Sequence, residues 1–71
     1  MLTGPEYRLL MWMKLHSDGR YTSLKHLLKL FGEDAVSDVI TNNYVSLTKN
    51  KEKAQLNAKG KRELEEYRLE F

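Results

Sequence analysis

"YVSLTKNKEKAQLNAKG", residues 44–60, alternates, breaks into a lysine-studded polar run, alternates again and then turns into a helix. Val45 and Leu47 share one parity while Tyr44, Ser46 and Thr48 share the other. Beyond the polar run, Ala54 and Leu56 are set inward and Lys53 and Gln55 outward. That period of two predicts a hairpin whose loop is Lys49-Asn50-Lys51-Glu52. Asn57 is a good N-cap for a final helix, with Leu64, Tyr67 and Phe71 on one stripe.

Upstream the periodicity is helical. Thr3 with Glu6 three residues on reads as a capping box, with Leu2 as the staple onto Tyr7, and Pro5 is tolerated in a first turn. The helix runs to about His16. Leu9, Leu10, Met13 and either Trp12 or Met11 make it apolar over much of its circumference, which predicts a central position. Ser17-Asp18-Gly19-Arg20 has the composition of a turn. A second helix is expected from Thr22 or Ser23, with Leu24, Leu27, Leu28 and Phe31 inward and Lys25, His26 and Lys29 outward. Gly32 is its expected cap. A third helix follows at once, with Ala35, Val36, Val39 and Ile40 inward, and Asn43 is able to end it in a left-handed conformation. Two short helices joined through one glycine form a helix-turn-helix pattern. The expected core is Leu10, Leu27, Leu28, Phe31, Val36, Ile40, Val45, Leu47 and Leu56, with Tyr7, Trp12, Tyr21 and Phe31 as core aromatics.

The 71 residues, 41% of them hydrophobic and 31% charged, match one small globular domain spanning 1–71. No apolar run approaches the ~18 residues of a membrane span, and the first residues lack the pattern of a signal peptide. These features place the expected home in the cytoplasm. Cysteine is absent, so disulfides and thiol chemistry are excluded. His16 and His26 lack metal-ligand spacing, Ser23 and His26 lack a third triad member, and no glycine-rich phosphate loop occurs. The chain reads as a non-enzyme with no cofactor and no metal.

Helix, helix, helix, hairpin, helix is the order of a winged helix-turn-helix domain. "ITNNYVSL" resembles the end of the recognition helix and first wing strand of small bacterial and phage regulators. "AQLNAKGKRELEE" resembles the segment leaving the wing in MarR-like and PadR-like proteins, with Asn57 where those families usually carry Thr. The implied fold is α+β, mostly α: three helices, a β-hairpin wing and a C-terminal helix. The implied function is that of a bacterial or phage transcriptional regulator bound to double-stranded DNA, with helix 33–43 at the major groove and wing 48–53 on the backbone. On that reading Ser23, Lys25 and Lys29 lie by the phosphates, Ser37, Asp38, Thr41 and Asn42 face the groove, and Lys49, Asn50, Lys51 and Lys53 form the wing contact.

Charge divides the candidates. The wing is basic, but residues 33–43 carry Glu33, Asp34 and Asp38 and no Lys or Arg. Arginine-to-guanine recognition is therefore unavailable from that helix. The alternative is a winged-helix module docking a protein partner through its acidic third helix, without DNA. The stripe Leu64, Tyr67 and Phe71 either closes the core or extends past it as a homodimer contact.

Overall fold

The computed structural model describes residues 2–17 and 19–69, without the side chains of residues 68 and 69. The chain runs α1 (Gly4–Ser17), β1 (Thr22–Ser23), α2 (Leu24–Phe31), α3 (Glu33–Thr41), β2 (Val45–Leu47), β3 (Lys53–Leu56) and α4 (Ala58–Leu69). The described residues form a mostly helical α+β fold of four helices and a three-stranded antiparallel sheet of order β1-β3-β2. No helix among the described residues is long and apolar enough to cross a membrane.

The capping box forms at the start of α1. The Thr3 amide donates to Glu6 Oε1 at 3.0 Å, and the Glu6 amide donates to Thr3 Oγ1 at 3.3 Å. Leu2 is buried ahead of it, and Tyr7 packs against the same core. Along α1, Glu6, Leu9, Leu10 and Met13 form the buried side. Among the described residues nothing covers Leu15, which is 73% exposed on the opposite side, so α1 is not buried all round.

The two helix ends that define the middle of the fold each use a left-handed residue. Gly32, at φ 89°, ends α2 with its amide on the Leu28 carbonyl at 2.9 Å and begins α3. Asn43, at φ 60°, ends α3 as expected. Its amide bonds the Ile40 carbonyl and the Tyr44 amide bonds the Val39 carbonyl, each at 3.0 Å, the paired bonds of a Schellman motif. The residue after the left-handed position in that motif turns its side chain back onto the helix. Tyr44 is accordingly buried, not outward-facing as the alternation predicts; alternation begins at Val45.

The hairpin pairs Val45 with Leu56, Ser46 with Gln55 and Leu47 with Ala54. Thr22 and Ser23, expected to open the second helix, instead form a strand against Ala54 and Lys53. β3 thereby becomes the central strand, which is why Ala54 and Leu56 are buried. Asn57 caps α4, accepting the Gly60 amide on Oδ1 at 2.8 Å, and its Nδ2 donates to the Asn43 carbonyl at 2.8 Å. A Cβ on Gly60 would collide with the Tyr44 carbonyl oxygen and lie 2.7 Å from Leu56 Cδ1. Glycine is what lets α4 close over the start of β2.

The core comprises Leu2, Leu9, Leu10, Met13, Leu27, Ala35, Val36, Val39, Tyr44, Val45, Ala54, Leu56 and Leu64. Of the expected core, Phe31, Ile40 and Leu47 are half-buried, and Leu28 is 41% exposed. Leu27 and Leu28 are adjacent, about 100° apart around a helix, and the inward face centres on Leu27. Of the expected core aromatics, Tyr7, Trp12 and Phe31 are half-buried, and Tyr21 is 47% exposed on the segment leading into β1.

Candidate nucleic-acid interface

The hairpin tip is held by its own polar groups. The Thr48 amide donates to the Lys53 carbonyl at 3.0 Å, and the Lys51 amide donates to the Thr48 carbonyl at 2.9 Å. Asn50 Oδ1 accepts the Thr48 hydroxyl at 2.7 Å and the Glu52 amide at 3.2 Å, while Thr48 Oγ1 accepts the Lys53 amide at 3.2 Å. Asn50 is thus a scaffold for the turn, and its carboxamide oxygen is engaged within it. Lys49, Lys51 and Lys53 are exposed around this tip. Lys51 has φ 59°, a left-handed conformation costing a non-glycine residue about 1–2 kcal/mol. The local hydrogen bonds offset that cost and fix where the lysines leave the backbone.

The sheet brings α2 to the hairpin. Ser23 pairs with Lys53, and the Leu24 amide donates to the Glu52 carbonyl at 2.9 Å. Ser23, Leu24, Lys25, Leu28 and Glu52 line one shallow depression; Ser23, Lys25, His26, Leu28 and Lys29 line its neighbour. The candidate residues Ser23, Lys25 and Lys29 therefore adjoin the hairpin, a juxtaposition created by the unforeseen strand β1. Ser23 occupies the N-cap position of α2 without a side-chain capping bond. Leu28 lies between the two lysines, its exposure part of this surface.

On α3, Ser37, Asp38 and Thr41 are exposed, as are Glu33 and Asp34 in the first turn. The candidate Asn42 is differently placed. Its Nδ2 donates to Glu6 Oε2 at 3.0 Å, and its backbone carbonyl accepts Lys59 Nζ at 2.9 Å. This amide joins helix ends, because the carboxylate that completes the α1 capping box has a second oxygen facing α3. Lys59 also lies over the Tyr44 ring, 5.5 Å from its centroid. The Tyr44 hydroxyl donates to Glu63 Oε1 at 3.4 Å. Burial pushes the Tyr44 pKa up, with the nearby carboxylates of Glu63 and Glu6 adding to the effect. Glu6 carries the sequence signal of a capping box but none for this tertiary role, since its partner lies 36 residues away.

The expected dimer stripe is divided. Leu64 is fully buried and closes the chain's own core, and Tyr67 stacks on Tyr7 with ring centroids 4.3 Å apart. α4 packs along α1, which directs both side chains inward. Phe71 lies outside the described residues. His16 and His26 are exposed and flank Trp12 at centroid distances of 4.8 and 5.5 Å. Among the described residues no three His, Cys, Asp or Glu side chains are grouped to hold a metal ion. Comparison with protein families, characterised proteins and solved structures finds no match to this chain.

Proposed function

We propose that this chain is a winged-helix DNA-binding module that grips the duplex through phosphate contacts from its hairpin and α2, in the manner of a small transcriptional regulator. The observation that carries the reading is the hairpin tip, where Lys49, Lys51 and Lys53 surround a hydrogen-bonded turn that holds Lys51 in a left-handed conformation. Lys25 and Lys29 add positive charge along α2, where Lys25 shares a depression with Glu52 of the hairpin. Ammonium groups on a fixed turn suit phosphate oxygens, which lysine binds as a point charge.

On this reading affinity comes mostly from the backbone. α3 offers Ser37 and Thr41 hydroxyls and the Asp38 carboxylate, which can accept from a cytosine amine, and the exposed Asn42, one of whose amide hydrogens goes to Glu6. Binding is therefore expected to be weakly sequence-selective and strongly salt-dependent. Anisotropy of a labelled random duplex, titrated at low and moderate salt, tests it. Affinity that falls steeply with salt supports the reading. Absence of binding at low salt removes it and favours the second reading, docking of a protein through α3, whose exposed carboxylates Glu33, Asp34 and Asp38 oppose phosphate.

A further inference from the structure

α1 is apolar around most of its circumference, yet only the side bearing Leu9, Leu10 and Met13 is buried. On the other side, Met11, Trp12 and Leu15, with Phe31 of α2, line a shallow groove completed by Tyr7, Arg8 and His16. Leu15 is 73% exposed. Helices that are apolar all round are ordinarily covered all round, and contiguous exposed apolar surface marks interaction sites. Trp12 is held by His16 stacked at 4.8 Å, Phe31 edge-on at 6.2 Å and His26 tilted at 5.5 Å. A half-exposed indole already fixed by its neighbours makes an anchor that loses little freedom on binding.

We propose that this groove docks an acidic amphipathic helix of a second protein, its apolar side chains over Met11, Trp12 and Leu15 and its carboxylates against Arg8. Charge selects the occupant: among the described residues the groove is lined by a guanidinium and an imidazole and by no carboxylate. A second copy fits poorly. Two-fold pairing through this face would bring two like grooves together and supply no carboxylate from their described lining to either Arg8. The chain's own acidic helix, α3, has no apolar residue among the exposed large hydrophobics Leu15, Tyr21, Leu28 and Leu30. The match is a helix laid in a groove, with anchors at i, i+3, i+4 and i+7. It uses a different face from the lysines of the hairpin and does not depend on DNA binding.

Trp12 is the single tryptophan, so its emission reports the groove directly. The probe is a short tryptophan-free peptide with Leu and Phe at helical spacing flanked by Glu and Asp. The comparison peptides replace the acids by Lys or scramble the order. The expected result is a saturable emission change with the acidic amphipathic peptide alone. Leu15→Ser should weaken it about tenfold, the weight of a lost leucine contact. Arg8→Glu should weaken it severalfold and admit the lysine peptide. Both positions are exposed, so circular dichroism should show the fold unchanged. Absence of saturable binding, or equal binding of the scrambled or lysine peptide, overturns the proposal. So does self-association in sedimentation that Leu15→Ser abolishes, which would give the face to a second copy.

Discussion

The carboxamide of Asn42 donates to the buried carboxylate of Glu6 at 3.0 Å, tying the end of α3 to the first turn of α1. Glu6 is 2% exposed, and its other oxygen accepts the Thr3 amide. One buried side chain thus completes a helix cap and fixes the angle at which α3 leaves the core. Urea unfolding checks its weight. Glu6→Ala should lower stability by about 2–4 kcal/mol, combining a lost cap with a broken hydrogen bond to a charged group. Asn42→Ala should cost about 1–3 kcal/mol, because it leaves a buried carboxylate short of a partner.

Gly60 should tolerate no side chain. Its Cβ would meet the Tyr44 carbonyl, which is backbone and has no alternative rotamer. Gly60→Ala should destabilise by about 2–3 kcal/mol or more despite alanine's better helix propensity. Thermal melts of Gly60→Ala beside Lys61→Ala, an exposed position in the same helix, separate the clash from a general effect on α4.

Adjacent leucines on α2 should behave differently. Leu27 is 1% exposed, and its truncation to Ala should cost about 2–5 kcal/mol. Leu28 is 41% exposed, so Leu28→Ala should cost under about 1 kcal/mol. Denaturant midpoints of the two variants check the assignment of faces.

The same pair shows where sequence reading reaches and where it stops. Helical spacing allows Leu27 and Leu28 to share an inward face, and only the position of β1 and the hairpin decides that Leu28 opens onto the lysines. The capping box, Gly32, Asn43, the loop at 49–52 and the Asn57 cap were legible because each is local chemistry. Tyr44 was misplaced because a helix-ending motif overrides strand alternation for one residue. β1 was hidden because two residues carry no period; they form a strand only when β3 is beside them. The lysines of the candidate interface could be read singly, but not the joining of α2 to the hairpin.

Tyr44 should make stability sensitive to alkaline pH. Its folded-state pKa lies above the ordinary value of 10.0 through burial and the neighbouring carboxylates. The folded chain thus holds this proton more tightly than the unfolded chain. The resulting stabilisation is complete below the unfolded pKa and is lost as pH rises through the folded one. Melting temperatures of wild type and Tyr44→Phe should run parallel at neutral pH. Above about pH 10, where an unfolded tyrosine ionises, they should diverge, with wild type falling further.

The salt dependence of duplex binding by hairpin variants tests the central claim most directly. The variants are Lys49→Ala and Lys51→Asn, asparagine being chosen because it accepts the left-handed backbone at residue 51. Each should weaken binding to all sequences alike and make the slope of log affinity against log salt shallower by about one unit, the signature of one lost phosphate contact. Asp38→Ala should tighten non-specific binding by removing a like charge. Unchanged slopes in both lysine variants, or no duplex binding by wild type at low salt, would contradict a phosphate-gripping hairpin.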